Sequence, residues 1–133
     1  MQADFLLAVG GGSVIDTAKA IAMGLAEKGQ DIWDLYENKR EAKACLPVGS
    51  ILTIAAAGSE SSSASVLTND ETKEKRGYES DLCRPKFAIM NPEWMYSLPD
   101  YQTQSGCVDI MMHTMERYFT SGGNMALTDA LAE

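Results

Sequence analysis

Two residues near the end of the sequence have the types and spacing of metal ligands. Asp109 and His113 are four residues apart in a segment with helical periodicity, so both side chains project from one face of a helix. A carboxylate and an imidazole at this spacing can bind one divalent metal ion. Spacing alone favours a solvent-exposed ion pair, because such pairs are common on helices. Apolar side chains flank the pair, however, and His113 is the only histidine of the chain.

A glycine-rich turn before a helix is a second candidate, in this case for binding a phosphate group. Residues 10–13 read Gly-Gly-Gly-Ser and follow a short apolar run. Glycines let backbone N–H groups approach a phosphate, and the helix N-terminus adds a positive partial charge. Ser13 and Asp16 can form hydrogen bonds near that helix start. The alternative is a tight turn that requires a positive φ angle, and the spacing does not decide between the two.

A third candidate combines Thr53 with the small residues Gly58 and Ser59. A strand that ends in small residues and hydroxyls leaves room for a flat ligand above the carboxyl end of a sheet. Serine and glycine are also common in ordinary loops, and composition alone favours that simpler interpretation.

The elements that must position these residues alternate between strand and helix. Apolar runs predict buried strands within residues 5–9, 46–56 and 87–90, of the kind found in parallel sheets. A helix is predicted to follow the glycine turn, with Ser13 and Asp16 as a capping box and Gly29 at its end. The alternation predicts an α/β fold with a parallel sheet.

Further elements are predicted along the rest of the chain. Residues 32–36 suit a short helix, residues 61–68 suit a short strand, and a hairpin-like excursion is predicted through residues 69–77. Residues 101–119 and 125–133 are predicted helices, separated by a break at 121–124. The methionines at 111, 112 and 115 are predicted to fill a helical core.

Composition and charge exclude several classes of protein. The 133 residues include 19 acidic and 11 basic side chains, and the net charge of −8 argues against nucleic-acid binding. No apolar run approaches the roughly 20 residues that span a bilayer, and the N-terminus does not resemble a signal peptide. The three cysteines are widely spaced and predict a cytoplasmic protein without a disulfide framework. Neither a thiol nucleophile nor a hydrolytic triad is indicated.

Several motifs, in the same order, resemble those of the iron-containing (group III) alcohol dehydrogenase family. The first is DFLLAVGGGSVIDTAK at residues 4–19, and the second extends from Ser97-Leu98-Pro99 to Glu116 and includes Asp109 and His113. Segments 29–34 and 68–75 are most similar to its NADPH-dependent butanol dehydrogenase branch. The resemblance covers essentially the whole chain.

The resemblance implies part of a Rossmann-like, parallel-sheet nucleotide domain over residues 1–98. It implies the first helices of an all-helical, metal-binding domain over residues 99–133. The implied reaction is hydride transfer between NADP(H), with NAD possible, and a small alcohol or aldehyde. Asp109 and His113 correspond to two ligands of Fe²⁺ or Zn²⁺. The implied cofactor-binding residues are Gly11, Gly12, Ser13, Asp16, Thr53, Gly58, Ser59, Lys75 and Leu98.

The resemblance also implies a homo-oligomer, a dimer, for the complete protein, and the charge and hydropathy above predict neither nucleic-acid nor membrane partners. The sequence departs from the family where Ala57 replaces a usual threonine, which removes a hydroxyl near the cofactor. Family members carry two further histidine ligands downstream and additional strands upstream. We therefore expect a middle piece that lacks dehydrogenase activity on its own.

Two alternatives remain open at this stage. The first is a fragment that binds a nucleotide or oligomerises without turnover, since a truncated sheet has open edges that favour self-association. The second is the zinc-using dehydroquinate-synthase and polyol-dehydrogenase group. The butanol-branch segments argue against this second alternative.

Overall fold

The structure, a computed structural model, describes residues 3–119 and 126–132. In chain order its main elements are β1 (Leu6–Gly10), α1 (Gly12–Ala26), α2 (Trp33–Tyr36), β2 (Val48–Leu52), β3 (Ala64–Thr68), β4 (Lys75–Glu79), β5 (Ala88–Ile89), α3 (Asp100–Tyr118) and α4 (Ala126–Ala132). Short 3₁₀ turns cover Asp81–Cys83 and Pro92–Met95.

The strands form two separate sheets. The three parallel strands have the order β1–β2–β5, with Leu6 opposite Val48 and Gly10 opposite Leu52. β3 and β4 form an antiparallel hairpin. The α/β fold with a Rossmann-like parallel sheet is therefore confirmed. A domain boundary between residues 98 and 99 remains a prediction.

Helix α1 lies between the parallel sheet and the hairpin. One side of α1 packs on the sheet in a buried cluster formed by Ala8, Ile15, Ala18, Ala22, Val48 and Leu52. The other side packs in a second cluster formed by Ala20, Met23, Leu35, Tyr36, Tyr78 and Cys83. The helix is thus buried on two sides, which fixes its N-terminus at the carboxyl edge of the sheet.

The predicted capping box at the start of α1 is wrong. The N-cap residue is Gly11, and no side chain caps this helix. The carboxylate of Asp16 instead accepts hydrogen bonds from the Ser59 hydroxyl and the Val66 N–H. The start of the hairpin lies within reach of Asp16, so tertiary contacts replace the local cap.

Two predictions about burial are also wrong. β1 is not buried on both faces: Leu7 and Val9 are 51% and 55% exposed, because α1 covers only the opposite face. The three methionines of α3 are exposed rather than in a core. In the part of the chain that the structure describes, Gly106 is the only buried residue of α3.

The remaining elements agree with the predicted ones to within a few residues. α2, the hairpin and α3 lie where the sequence patterns place them, and α4 lies within the range 125–133 that was predicted to be helical. The predicted break at 121–124 lies outside the described residues. Across 3–119 and 126–132, no helix combines the length and apolar character needed to cross a membrane.

The free energy of unfolding is expected to fall as the pH rises above about 9. Burial raises the pKa of the Cys45 thiol to about 11 and the pKa of the Tyr36 hydroxyl to about 12. In the unfolded chain these groups titrate at their ordinary values of 9.0 and 10.0. Their contribution to stability is therefore complete below the ordinary values and is lost as the pH rises through the raised ones.

Urea unfolding at several pH values between about 8 and 11 measures this loss, which reaches about 1.4 kcal/mol per pH unit for each group. Cys45→Ala should flatten the decline, whereas Cys107→Ala removes an exposed thiol and should follow the wild type. The buried Lys19 acts in the opposite direction because burial lowers its pKa, so slopes are compared between variants. Equal slopes for Cys45→Ala and wild type would contradict the prediction.

Candidate functional site

The site is built at the carboxyl edge of the parallel sheet. β1 and β2 end side by side there, and the Thr53 N–H donates to the Gly10 carbonyl at 3.1 Å. A Cβ atom on Gly11 would lie 2.5 Å from the Ile54 side chain. Glycine at position 11 therefore allows the segment after β2 to lie directly against the start of α1.

The loop of residues 58–64 folds over the first turns of α1. Gly58 has a φ angle of +83°, a left-handed conformation that glycine adopts without strain. A Cβ atom on Gly12 would lie 3.9 Å from the Ser59 Cβ, and the Ser59 hydroxyl donates to Asp16. The loop and the glycine turn are thus neighbours.

The structure brings together most of the predicted cofactor-binding residues. This group contains Gly11, Gly12, Ser13, Asp16, Thr53, Gly58 and Ser59. Lys75 and Leu98 take no part in the hydrogen bonds that assemble it. Lys75 is exposed and begins β4 opposite Thr68, and the Leu98 N–H donates to the Met95 carbonyl at 3.1 Å.

The N-terminus of α1 has the electrostatics of an anion site. Its first N–H groups have no partner within the helix, as at every helix N-terminus, and no side chain caps them. These donors and the helix dipole together favour a negatively charged group. The Asp16 carboxylate adds a negative charge in this region, and the Lys19 ammonium, 3.8 Å from its Oδ1 atom, opposes that charge.

Asp109 and His113 form a pair on α3. The Asp109 Oδ1 and His113 Nε2 atoms are 3.8 Å apart, and both side chains are 44% exposed. Glu116 approaches the other ring nitrogen of His113, also at 3.8 Å. Within the described residues, no cluster of three or more His, Cys, Asp and Glu side chains is arranged to hold a metal ion.

α3 packs at Gly106 against the segment that follows β2. A Cβ atom on Gly106 would overlap the Ala55 carbonyl oxygen, so the helix backbone lies in direct contact with the segment after β2. Two turns further along α3, His113 lines a cavity of about 500 Å³ together with Gly58. The imidazole therefore faces the loop that follows the sheet edge.

Sequence reasoning missed the role of Lys19. This side chain is fully buried, and its Nζ atom donates to the carbonyl oxygens of Ser59, Ser62 and Ala64 at 2.8, 2.9 and 2.6 Å. Burial lowers the pKa of Lys19, and the Asp16 carboxylate at 3.8 Å opposes that shift. The signal was present: Lys19 lies four residues after Ile15 and four before Met23, on an apolar stripe of α1.

Comparison with known proteins identifies the family. A family model described as iron-containing alcohol dehydrogenase matches residues 1–92. The chain belongs to the iron-containing alcohol dehydrogenase family. This confirms the resemblance inferred from the glycine turn and the α3 motif.

Relatives within this family match almost the whole chain. The chain is 50% identical over 130 residues to a probable NADH-dependent butanol dehydrogenase of Bacillus subtilis, covering 98% of this chain and 33% of the relative. It is 38% identical over 131 residues to the NADPH-dependent aldehyde reductase YqhD of Escherichia coli, covering 97% of this chain and 34% of the relative. The chain thus spans about a third of the length of these curated relatives.

Solved structures support the same assignment. The NADH-dependent butanol dehydrogenase A of Thermotoga maritima superimposes with a TM-score of 0.91 at 41% identity. That match covers 97% of this chain and 32% of the other chain. A sulfoacetaldehyde reductase of Bifidobacterium kashiwanohense, solved in complex with NAD⁺, matches with a TM-score of 0.86 at 33% identity, over 97% of this chain and 34% of that chain.

Proposed function

We propose that this chain is part of a metal-dependent dehydrogenase that transfers hydride between NAD(P)H and a primary alcohol or aldehyde. One observation carries the proposal: His113 lines the same cavity as Gly58, so the imidazole of the proposed metal-ligand pair and the loop at Gly58 share one cleft. Membership of the iron-containing alcohol dehydrogenase family supports it. The named relatives include both NADH-dependent and NADPH-dependent enzymes, and we propose NADP(H) with NAD as the alternative.

The glycine turn fits the pyrophosphate of such a cofactor. Position 11 has no room for a side chain, and the uncapped N–H groups at the start of α1 favour binding of an anion. Ser13 lies in the first turn of α1, beside these donors. Thr53, Gly58 and Ser59 provide the adjoining wall. We propose that Lys75 and Leu98 contact the outer parts of the nucleotide, as the family resemblance implies.

Asp109 and His113 fit two positions of a metal coordination sphere. A carboxylate and an imidazole, 3.8 Å apart and half exposed, form a mixed oxygen–nitrogen donor set that suits Fe²⁺ or Zn²⁺. When bound, such a metal polarises the oxygen of an alcohol or aldehyde, and the nicotinamide supplies or accepts the hydride. The chain's own residues bind and orient these groups, and none of them is required as a nucleophile.

The alternative function is a fragment that binds or self-associates without turnover. We propose two metal ligands within the described residues, Asp109 and His113, where the family resemblance implies four. Among residues 3–119 and 126–132, β1 has a strand neighbour on one side only, and its Leu7 and Val9 side chains are exposed. Such an edge favours pairing with further polypeptide, in keeping with the homodimer that we propose for the complete protein. The three free thiols support a cytoplasmic location.

Binding of reduced nucleotides by the 133-residue chain tests the proposal directly. Titration with NADPH and with NADH, followed by the fluorescence of the nicotinamide, should give saturable binding. Gly11→Val should weaken it by about tenfold or more, because the added side chain overlaps Ile54 and displaces the turn from the anion. Gly24→Ala, in the same helix with only an ordinary contact to Ile32 at 4.0 Å, should leave the affinity unchanged.

The same samples test turnover, which neither an incomplete dehydrogenase nor a non-catalytic fragment should show. With butyraldehyde and added Fe²⁺ or Zn²⁺, the chain alone should oxidise no NADPH. Binding without turnover agrees with an incomplete dehydrogenase. The absence of binding to either nucleotide would contradict the proposed cofactor site and leave only the self-associating fragment.

A further inference from the structure

The buried ammonium group of Lys19 donates hydrogen bonds to the inner side of loop 58–64. Its Nζ atom has four acceptors: three carbonyl oxygens of the loop and the Ser59 hydroxyl, the last at 3.1 Å. The carbonyls of Ser59, Ser62 and Ala64 therefore point into the protein. We propose that Lys19 is a positioning residue for the cofactor: by drawing these carbonyls inward, it presents the other side of the loop to the bound nucleotide.

The electrostatic reason concerns the sign of the carbonyl dipole. Loop 58–64 lies beside the N-terminus of α1, where the proposed pyrophosphate binds. Carbonyl oxygens directed at that anion would repel it, whereas N–H groups would attract it. Because the ammonium of Lys19 accounts for the carbonyls of Ser59, Ser62 and Ala64, those oxygens are kept away from the anion.

The same loop also forms a wall of the cavity that His113 faces. Its residues at positions 58 and 61–63 line that cavity opposite α3. Arg84, which lines the same cavity, also holds the loop by donating to the Ser61 carbonyl, but its side chain is 47% exposed. Of the two side chains that hold the loop, Lys19 is the buried one. Its loss should therefore change the shape of the loop both toward the proposed nucleotide and toward His113.

A purely structural role makes a different prediction from a positioning role. The two apolar clusters that pack α1 do not include Lys19. Removal of the ammonium should therefore leave the helix and sheet in place while the loop turns its freed carbonyls toward water. Stability and nucleotide affinity then separate: the affinity falls in samples that remain folded.

The inference rests on the proposed function and is tested by nucleotide affinity in matched variants of the 133-residue chain. Lys19→Met should weaken NADPH or NADH binding by about tenfold or more, the equivalent of one charged hydrogen bond lost. Lys19→Arg keeps the charge and should restore part of the affinity. Lys28→Met removes an exposed lysine just after the same helix and should bind like the wild type. Circular dichroism and urea unfolding establish that each sample is folded.

The outcomes distinguish this inference from the function on which it rests. Equal affinity in folded Lys19→Met and wild type overturns the positioning role and leaves the cofactor site intact. No binding by the wild type overturns the cofactor site and this inference with it. If Lys19→Met does not fold, Lys19→Gln keeps two donors without the charge and gives the same comparison. Faster hydrogen exchange confined to loop 58–64 in the binding-impaired variant would support the role.

Discussion

Zn²⁺ added to the 133-residue chain should shift the imidazole resonances of His113 in a saturable manner, and Asp109→Asn should weaken that binding by at least about tenfold. The Asp109 Oδ1 and His113 Nε2 atoms are 3.8 Å apart, so one ion can contact both. Loss of an outer partner of a metal ligand already reduces affinity by about 10- to 100-fold, and loss of a ligand itself should cost at least as much.

The single histidine of the chain makes this binding simple to measure by NMR. His113 is the only histidine, so its ring signals in a ¹H–¹⁵N spectrum need no assignment against other imidazoles. Zn²⁺ is diamagnetic and leaves those signals observable. Chemical shifts recorded against Zn²⁺ concentration therefore report the affinity at one known residue.

Two control variants identify the carboxylate that contributes. Glu116 also lies 3.8 Å from the ring of His113, and Asp100 is an exposed acid at the start of the same helix. Glu116→Gln and Asp100→Asn each remove one negative charge and should change the affinity much less than Asp109→Asn. A large loss in Glu116→Gln together with none in Asp109→Asn would assign the metal to the wrong face of α3 for the proposed site.

Gly106→Ala is expected to destabilise the chain by about 1–3 kcal/mol, the usual range for overpacking. The added Cβ would overlap the backbone carbonyl oxygen of Ala55, which cannot rotate away as a side chain can. α3 must then move from the segment after β2. Because Asp109 and His113 follow within two turns, the metal-ligand pair should move with it.

Gly24→Ala is the matched comparison, since it makes the same substitution inside α1. Its nearest neighbour would be the Ile32 side chain at 4.0 Å, an ordinary contact. Here the gain in helix propensity is unopposed, so the variant should be more stable than the wild type by about 0.5–1 kcal/mol. Opposite signs in urea unfolding are the expected result.

The position of α3 provides a second readout. Gly106→Ala should shift the imidazole resonances of His113, because the helix that carries this ring moves relative to the loop. Gly24→Ala should leave these resonances unchanged. If Gly106→Ala stabilises the chain as Gly24→Ala does, the close contact between α3 and Ala55 does not exist in solution.

Much of the fold and of the candidate site could be predicted from spacing within short segments. Apolar runs predicted the parallel strands, and periodicity predicted α1 and α3, because each of these depends on neighbouring residues in one element. The pairing of Asp109 with His113 followed from one helical turn. The glycine turn followed from the same local pattern, and the structure places it at the start of α1.

Other features depended on residues far apart in the chain. Asp16 was predicted to cap its own helix, but Ser59 and Val66, more than 40 residues away, take its carboxylate. The exposed methionines of α3 follow from how little of that helix is covered in the described chain. Periodicity shows that a helix has an apolar face, but it does not show what covers that face.

The sequence by itself therefore determined the order of the elements, the family and the residue types of the metal pair and the glycine turn. Only the tertiary structure decided that Lys19 is buried against loop 58–64, and that Gly106 sets α3 so that His113 faces this loop. The physical reason is range: secondary structure and helical pairs arise from contacts within a few residues, whereas a shared cleft requires three segments to meet across the fold.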